Sequence, residues 1–540
     1  MIAQDTMRLL LSSLTLLAPA VAQLAESRSG MVSTAHPIAT QAGVAMLESG
    51  GNAFDAAVAV ATTLNVVEPQ NSGLGGYGLI TVYDAGKNRV RVLNASGRIP
   101  KGLDRKAFDT DANRRGAKVI APPVNARAWE QLSRTYGKKP WKSLFESAIA
   151  SAERGFVLDA PINEKVFAEF PDHAKSFYGR NGKPLAKGDT LVQRDLAQSL
   201  RMVAAKGPAV LHGGELGKKV AAELARAGSF VTLDDLSNSR PEWGDPISID
   251  YRGYRVFTAA PAANSFAALV RLGLVSQWDM KAIGAGSPEY WHRWAEALKH
   301  GEYCRLRYAA DPDIAKVPLA RLLSPDYWRE QAARVDPAKS SDFVPPGTGP
   351  RESANTTHFT VADNQGNIVT MTQTIGNTFG SRVMAPGTGI WLNDSLYYST
   401  WEPRGNPMDV HAGRRKLNSN TPTIVMKDGR PWIAIGAAGG HTIPQTVPLA
   451  IARMIDHGED IAQALASPRI AFVAESNTLS AEPRLSEPIR AGLASRGHNV
   501  KVTDIGRLHG LTVEWGPDGK PRRFTGAPDP RGSGLAKGPR

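Results

Sequence analysis

Two patterns of apolar and polar residues divide the chain into a helical part and a strand-rich part. Apolar residues recur at helical spacing in the first two thirds of the chain, whereas from residue 358 onward short apolar runs are separated by turn residues. Residues 340–354 between the two parts are rich in Ser, Pro and Gly, a composition typical of an exposed linker.

The pattern predicts helices over 38–50, 53–65, 126–136, 141–154, 217–227, 263–276, 287–309, 325–334, 443–456 and 487–496. It predicts strands over 79–83, 90–93, 247–249, 254–257, 358–362, 368–374, 423–426, 432–436, 500–503 and 511–515. Strands paired as hairpins with helices between them favour layered antiparallel sheets with helices on the outer faces, which is an α+β architecture.

Composition narrows the class of protein. The 540 residues are 42% hydrophobic and 21% charged, as in an ordinary globular protein with a large core. The net charge of +13 comes from Lys and Arg spread along the chain without a nucleic-acid motif, so we expect a solvated basic surface and no nucleic-acid partner. Cys304 is the single cysteine, which excludes an intrachain disulfide, and no Cys–His spacing indicates a metal site or another cofactor.

The first 22 residues have the pattern of an export signal. An apolar run over Leu9–Leu17 follows Arg8, and Ala20-Val21-Ala22 offers small residues for cleavage before Gln23. The pattern fits a start at Met1 or at Met7. No later segment is apolar for long enough to span a membrane, so we expect a periplasmic or secreted protein that is not embedded in a membrane.

The junction between the linker and the first strand of the second part carries the distinctive chemistry. Asn355-Thr356-Thr357-His358 lies there, and a cut between Asn355 and Thr356 leaves Thr356 as a new N-terminal residue. A threonine hydroxyl needs a base to become a nucleophile. A free α-amino group on the same residue, with a pKa of about 7.7–8.0, supplies that base near neutral pH.

A series of short blocks runs along the chain from about Gly30 to Arg531. They are Ala35-His36-Pro37, Gly50 to Ala57, Val67-Glu68-Pro69, Ser72 to Gly76, Tyr251 to Tyr254, Ala310 to Asp313, Asn355 to His358, Phe379-Gly380, Gly387 to Ile390, Thr421 to Val425, Gly436 to Gly440 and Gly526 to Arg531. In content and order these blocks resemble the gamma-glutamyltransferase family, and their number leaves little room for chance.

The resemblance implies a fold and a set of catalytic residues. It implies the N-terminal-nucleophile hydrolase fold, a four-layer αββα sandwich, cut into a large subunit (residues 23–355) and a small subunit (residues 356–540). Thr356 is then the nucleophile and Thr374 the residue that orients it. Gly439 and Gly440 would form the oxyanion hole through backbone N–H groups, where the absence of a Cβ lets the tetrahedral intermediate approach.

The acyl-binding positions depart from the family pattern. Ser96 stands where the family has an arginine for the substrate carboxylate, and Arg98 is two residues away. The other positions are Gly376 for an asparagine, Ser395 for a glutamine, Tyr398 for an aspartate, and Asn418 with Ser419 for a pair of serines. Because a charged hydrogen bond is worth about 1.5–3 kcal/mol, these losses disfavour a zwitterionic glutamyl group. The pattern is similar to acylase-like members, including cephalosporin (glutaryl) acylases and oxamate amidohydrolase.

The sequence therefore predicts an autoprocessed amidohydrolase or acyltransferase that cleaves gamma-glutamyl or related acyl amides through a threonyl acyl-enzyme. Its expected partners are a small-molecule amide, glutathione-like or otherwise, and its own large and small subunits as a heterodimer. Two alternatives stay open: an acylase of the cephalosporin/glutaryl or oxamate type without gamma-glutamyl activity, and a non-catalytic relative that serves as a periplasmic binding protein.

Overall fold

The computed structural model describes residues 23–108, 116–346, 355–399 and 407–540. The predicted export signal and most of the predicted linker lie outside these residues. The helices are α1 (Pro37–Glu48), α2 (Ala53–Val67), α3 (Arg105–Phe108), α4 (Asn125–Tyr136), α5 (Glu146–Arg154), α6 (Glu164–Ala168), α7 (Asp172–Tyr178), α8 (Arg194–Lys206), α9 (Glu215–Arg226), α10 (Leu233–Asn238), α11 (Phe266–Val275), α12 (Met280–Ile283), α13 (Pro288–Tyr308), α14 (Leu319–Leu322), α15 (Pro325–Ala332), α16 (Ile443–His457), α17 (Ile461–Ala466) and α18 (Glu487–Ser495).

The strands are β1 (Ala25–Ser27), β2 (Gly30–Thr34), β3 (Tyr77–Asp84), β4 (Arg89–Ala95), β5 (Phe156–Val157), β6 (Gly179–Arg180), β7 (Lys183–Pro184), β8 (Thr190–Leu191), β9 (Glu242–Gly244), β10 (Ile247–Tyr251), β11 (Tyr254–Thr258), β12 (Thr357–Asp363), β13 (Ile368–Thr374), β14 (Thr423–Lys427), β15 (Arg430–Ala438), β16 (Ile470–Val473), β17 (Thr478–Ala481), β18 (Val500–Val502), β19 (Arg507–Trp515), β20 (Pro521–Ala527) and β21 (Leu535–Lys537).

Two seven-stranded antiparallel sheets form the middle of the molecule. One has the order β1-β20-β19-β15-β14-β11-β10 and the other the order β21-β2-β12-β13-β3-β4-β9. Apolar side chains such as Ile368, Leu511 and Phe524 fill the space between the two sheets. Helices α1 and α2 cover the outer face of the second sheet, with α5 and α8 packed outside them, and α11 and α16 cover that of the first, with α13 packed outside them. The layers are therefore helix, sheet, sheet and helix, and the predicted four-layer αββα sandwich is confirmed.

Helix α2 shows how the sequence sets up these layers. The Asn52 side chain caps it by accepting hydrogen bonds from the backbone N–H groups of Phe54 and Asp55. In turn, the Asp55 carboxylate accepts a hydrogen bond from the Asn52 N–H. Every residue of α2 is buried because the helix lies between the sheet and the other outer helices. Its C-terminal end reaches Glu68, which lies beside the predicted cleavage point.

Several elements lack a pattern in the sequence that predicts them. Strand β2 is buried along its whole length and therefore shows no alternation, and β20 and β21 are hidden among charged and glycine residues. Helix α8 also lies in a stretch for which the sequence pattern predicts no helix. The predicted helix over 141–154 is split into a 3₁₀ turn at Trp141–Phe145 and α5. Within the described parts of the chain, no helix has the length and apolar character needed to cross a membrane.

Candidate active site

The two threonines meet because β12 and β13 form one antiparallel hairpin. Thr357, the first residue of β12, pairs with Gln373 in β13. Thr356, just before β12, therefore lies beside Thr374, the last residue of β13. The hydroxyl of Thr356 is 3.3 Å from that of Thr374 and contacts the carbonyl oxygen of Asn355. Both threonines are almost fully buried.

Thr374 is held so that its hydroxyl donates to the carbonyl oxygen of the Asn355–Thr356 peptide bond. The Thr374 Oγ1 accepts a hydrogen bond from the backbone N–H of Gly376 at 2.8 Å and lies 3.2 Å from the Asn355 carbonyl oxygen, to which it donates. A donor on that oxygen withdraws electrons from the carbonyl carbon, and the neighbouring Thr356 hydroxyl is the nearest nucleophile. The geometry therefore suits attack by Thr356 on the Asn355 carbonyl.

The glycine pair lies where β15 turns into α16. Gly439 has φ +129° and Gly440 has φ +60°, a region that disfavours side chains. A Cβ on Gly439 would lie 2.6 Å from Thr442 Oγ1 and 2.8 Å from the Gly506 Cα, so no larger residue fits there. Gly440 lines the same cavity as Thr356 and Thr374. The turn is thus open to a substrate oxygen next to the predicted nucleophile.

A small cavity of about 40 Å³ ends at the two threonines. Its walls are formed by Tyr77, Asn264, Arg305, Thr356, Thr374, Tyr398, Lys416, Leu417, Asn418, Ser419, Asn420 and Gly440. The structure therefore brings together most of the predicted site residues from five separate stretches of chain. We refer to this space as the acyl cavity.

Two predicted substrate-binding residues do not line the acyl cavity. Arg98 turns to the surface, where its guanidinium forms ion pairs with Glu242 at 3.0 Å and Asp313 at 3.2 Å. Ser395 is buried in a 3₁₀ turn, and its backbone N–H donates to the side chain of Asn393. Asn418 and Ser96, two residues at which the sequence differs from the pattern of the family it resembles, contact each other. The Asn418 amide donates to the Ser96 hydroxyl.

Arg305 and Lys416 line the acyl cavity although sequence reasoning did not select them. Arg305, on α13, is almost completely buried and forms an ion pair with Glu302 one helical turn earlier, at 2.6 Å. The Lys416 ammonium donates to the carbonyl oxygens of Tyr398 at 3.0 Å and Leu417 at 2.6 Å. The one signal in the sequence was the Glu–Arg spacing of three on a helix, which is usually a surface pair. The cavity wall therefore contains two cationic groups, and Glu302 partly offsets the charge of one of them.

Asp394 lies behind Tyr398 as a buried carboxylate. Burial raises the pKa of Asp394 to about 6, and hydrogen bonds from Asn377 and the Tyr398 hydroxyl act in the opposite direction. A Cβ on Gly376 would overlap this carboxylate, so no larger residue fits at this position.

Glu68 holds the start of β12 from the other side. Its carboxylate accepts hydrogen bonds from the Thr357 hydroxyl at 2.6 Å and from the Asn71 amide at 3.1 Å. Burial raises the pKa of Glu68, and these hydrogen bonds partly offset the shift. The backbone carbonyl of Asn71 also accepts from the Ile375 N–H, directly after Thr374. One short segment therefore supports both threonine strands.

Thr356 also lines a second space, an open cavity of about 500 Å³. Its walls are formed by Asn71, Asn355, Thr356, Ala438, Glu482, Pro483, Arg484, Asp504, Gly506, Arg507 and Arg531. Below it, Arg531 forms ion pairs with Glu482 at 2.5 Å and Asp529 at 3.1 Å, and Arg469 pairs with Asp529 at 2.6 Å. This buried network fixes the floor of the open cavity.

Replacing Asp529 by Asn is expected to destabilise the protein in a pH-dependent way. Burial alone would raise the pKa of Asp529, but Arg469 and Arg531 outweigh it and lower the pKa to about 2. Because the unfolded value is about 3.9, the ionised carboxylate stabilises the fold by about 2 kcal/mol above pH 4, and this contribution is lost as the pH falls towards 2. Thermal unfolding from pH 7 to pH 3 checks this: the difference in Tm between wild type and Asp529→Asn should narrow with acid, and a constant difference would contradict the assignment.

We assign no metal ion to the acyl cavity or to the open cavity. Among the described residues, one group of side chains, His292, Glu296 and His498, lies close enough together to share an ion. Glu296 already accepts from the Lys299 ammonium at 3.1 Å and from the Ser341 hydroxyl. None of the three lines the acyl cavity or the open cavity.

Comparison with known proteins shows to which family the chain belongs. The family model described as gamma-glutamyltranspeptidase matches residues 39–538. The glutathione hydrolase proenzyme of Pseudomonas sp. (strain A14) is 33% identical over 95% of this chain and 94% of its own, and the Acylase ACY 1 proenzyme of Pseudomonas sp. (strain SE83) is 34% identical over 92% and 91%. The crystal structure of cephalosporin acylase from Bacillus halodurans matches with a TM-score of 0.86 and 27% identity, over 98% of this chain and 99% of that one. With its fold and its full-length likeness to these enzymes, the chain belongs to the gamma-glutamyltranspeptidase family.

Proposed function

We propose that the protein cuts itself between Asn355 and Thr356 and then hydrolyses small-molecule amides with Thr356 as the N-terminal nucleophile. The observation that carries this proposal is the contact of the Thr356 hydroxyl with the Asn355 carbonyl while the Thr374 hydroxyl donates to the same oxygen. The names of the relatives, which are proenzymes, agree with such a cut.

In the proposed self-cleavage, Thr356 Oγ1 attacks the Asn355 carbonyl carbon and the hydroxyl proton passes to the departing nitrogen. The Asn355–Thr356 amide bond breaks and an ester between the two residues forms. The Thr374 hydroxyl stabilises the charge that develops on the carbonyl oxygen. Water then hydrolyses the ester, which leaves a carboxylate on Asn355 and a free α-amine on Thr356.

In the proposed turnover, the freed α-amine takes the proton of Thr356 Oγ1 as this oxygen attacks the substrate amide. The backbone N–H groups at Gly439 and Gly440 stabilise the tetrahedral oxyanion. The amine product leaves with a proton, and water or a second amine releases the acyl group from Thr356.

The two polypeptides proposed to result are Gln23–Asn355 and Thr356–Arg540. They would stay associated because both sheets contain strands from each: β12 lies between β2 and β13, and β14 pairs with β11. Separating them would break backbone hydrogen bonds and expose the core between the sheets. With the predicted export signal, the proposed location is the periplasm or the exterior of the cell.

The charge of the acyl cavity supports an acyl group that ends in a carboxylate. Lys416 supplies positive charge, Arg305 adds a guanidinium whose charge Glu302 partly offsets, and no Asp or Glu is among the described residues that line the cavity. An amide of a dicarboxylic acid, such as a glutaryl amide, therefore fits better than a group that also carries an ammonium. This favours the acylase-type alternative.

Gamma-glutamyl amides are the second candidate, and Asp394 is the observation that favours them. Its buried carboxylate accepts from the Tyr398 hydroxyl at 3.4 Å, and Tyr398 lines the cavity. A rotation of Tyr398 would let a substrate ammonium reach this carboxylate. The relative named glutathione hydrolase agrees with this substrate class.

Intact-mass spectrometry after incubation with glutaryl- and gamma-glutamyl-4-nitroanilide tests the proposed function. We expect two chains that divide between Asn355 and Thr356, with the acyl adduct on the smaller one, and faster release of nitroaniline from the glutaryl substrate. A single chain that hydrolyses neither anilide would favour the non-catalytic alternative.

Replacing Lys416 by Met should reduce the preference for an acid-terminated acyl group. A charged hydrogen bond is worth about 1.5–3 kcal/mol, so the ratio of kcat/KM for glutaryl- to butyryl-4-nitroanilide should fall about tenfold or more. The two substrates differ by the carboxylate alone, so a general loss of activity leaves the ratio unchanged. An unaltered ratio would show that Lys416 does not bind the acyl carboxylate.

A further inference from the structure

Two histidines and a glutamate meet at a place outside both cavities. His292 and Glu296 lie one helical turn apart on α13, and His498 lies in the loop between α18 and β18. One ring nitrogen of each histidine and one carboxylate oxygen all lie within 4.8 Å of one another, and all three residues are buried. The two histidines are 206 residues apart in the chain, which is why no spacing in the sequence indicated this cluster.

The hydrogen bonds of His292 turn one of its lone pairs towards the centre of the cluster. Its Nε2 lies 2.7 Å from the carbonyl oxygen of Asp336, which can only accept, so Nε2 carries the proton. Burial lowers the pKa of His292 and keeps the ring neutral at pH 7, so Nδ1 is a lone pair, and it faces His498 Nε2 at 2.8 Å. A histidine whose other ring N–H donates to a backbone carbonyl has the arrangement of a metal ligand.

His498 can offer a second lone pair to the same point. Its Nε2 donates to His292 Nδ1, and its buried Nδ1 has no hydrogen-bond partner among the described residues. Either tautomer of His498 therefore leaves Nδ1 unpaired, and a divalent ion can replace the proton between the two rings while that proton moves to Nδ1. Zinc–nitrogen bonds of about 2.0–2.1 Å at a tetrahedral angle place two nitrogens about 3.3 Å apart, so the rings need to separate by only about 0.5 Å.

Glu296 supplies the negative charge of the cluster. Its Oε1 lies 3.9 Å from His498 Nε2 and 3.1 Å from the Lys299 ammonium. Lys299 also donates to the Ser340 hydroxyl and to the Ser341 carbonyl oxygen, so it keeps two acceptors when Glu296 Oε1 bonds to an ion. The ammonium repels a second cation and lowers the affinity, and the Glu296 carboxylate offsets this repulsion.

An ion can reach the cluster from the surface. Glu296 lines a surface cavity of about 370 Å³ whose walls come mainly from α13, α15 and residues 341–344. Water from this cavity can fill the fourth position of an ion that already has two imidazoles and one carboxylate as ligands. Such a set of nitrogen and oxygen ligands in tetrahedral geometry suits Zn²⁺.

We propose that His292, Glu296 and His498 bind one Zn²⁺ ion in a structural site that joins α13 to the loop before β18. This inference goes beyond the proposed function and does not depend on it. If the chain is cut after Asn355, the ion also joins the two polypeptides, because α13 belongs to the larger one and His498 to the smaller one. Since the ligands come together only in the folded protein, zinc should stabilise the fold.

Calorimetric titration of the untagged, EDTA-treated and dialysed protein with ZnCl₂ tests this proposal. Wild type should bind one ion per protein. His498→Gln should bind it more than about tenfold more weakly, since even partners outside the ligand set are worth about 10–100-fold in affinity. The matched control is His300→Gln, on the same helix and lining the same surface cavity; its imidazole contacts the Tyr327 hydroxyl, so its loss should leave the affinity unchanged.

A second variant and two further measurements support the titration. Glu296→Gln removes the charge of the third ligand and should also weaken binding. Co²⁺ in place of Zn²⁺ should give the intense visible absorption of a tetrahedral ion in wild type and not in His498→Gln. Excess zinc should raise the Tm of wild type more than that of either ligand variant. Circular dichroism of each variant establishes that it folds.

Two results would overturn the zinc site. One is a wild type that binds no zinc, or binds it no more tightly than His498→Gln does. The other is an equal loss of binding in His300→Gln, which would show an adventitious ion in the surface cavity only. Intact mass and nitroanilide release report on the proposed function separately, and both should be unchanged after EDTA treatment because none of the three ligands lines the acyl cavity or the open cavity.

Discussion

A Thr356→Ala protein is expected to remain a single uncut chain and to hydrolyse no amide. The variant lacks the hydroxyl that is proposed to attack the Asn355 carbonyl carbon, so no ester can form there. Loss of a nucleophile of this kind lowers rates on the order of 10⁴-fold or more. Because Thr356 is nearly buried and alanine is smaller, the fold itself should survive.

The measurements are denaturing gel or intact mass for the cut and nitroanilide release for turnover. Thr356→Ser is the matched control, since serine keeps the hydroxyl and should both cut itself and turn over, although more slowly. A Thr356→Ala chain that still divides between Asn355 and Thr356 would contradict the mechanism. If the variant stays uncut but hydrolyses anilides, the nucleophile is elsewhere.

Replacing Thr374 by Val should slow both self-cleavage and turnover by about 10²–10³-fold, the usual cost of removing one donor to a developing oxyanion. The Thr374 hydroxyl lies between Thr356 and the Asn355 carbonyl, at 3.3 Å and 3.2 Å, so both steps depend on it. Valine keeps the shape of threonine in β13 and removes only the hydroxyl. The loss therefore reports on chemistry more than on packing.

A time course of cutting for freshly purified Thr374→Val and Thr374→Ser proteins checks this expectation. Serine restores the hydroxyl and should recover most of the rate. If the Val variant cuts itself at the wild-type rate, the hydrogen bond to the Asn355 carbonyl has no role in cleavage. If only turnover changes, Thr374 acts on the mature nucleophile alone.

The strand and helix pattern was predictable where turn or cap residues bound an apolar segment, even though these elements are buried on both faces. The hairpin of β12 and β13 follows from two apolar runs around Asp363-Asn364-Gln365-Gly366-Asn367, and α2 follows from its cap and its helical spacing. The buried strand β2 and the C-terminal strand β21 show no alternation of apolar and polar residues that would predict a strand. They find their places only by pairing with each other and with β12.

The proposed catalytic residues and the proposed binding residues differ in the same way. Thr356, Thr374 and the glycine pair lie at a strand start, a strand end and a turn. Local sequence patterns predict each of these backbone features. Arg98 illustrates the opposite case. Its neighbourhood in sequence suggested a place in the pocket, but Glu242 and Asp313, distant along the chain, hold it at the surface.

The sequence by itself determined the family, the two-part organisation and the identity of the proposed nucleophile, because these depend on short motifs and on periodicity. Only the tertiary structure decided what surrounds that nucleophile. Arg305 on α13, Lys416 in a loop and Arg507 on β19 reach the two cavities through strand order and helix packing, which join segments more than 50 residues apart. Such long-range placement comes from burial and sheet pairing of the whole chain, and no local pattern records it.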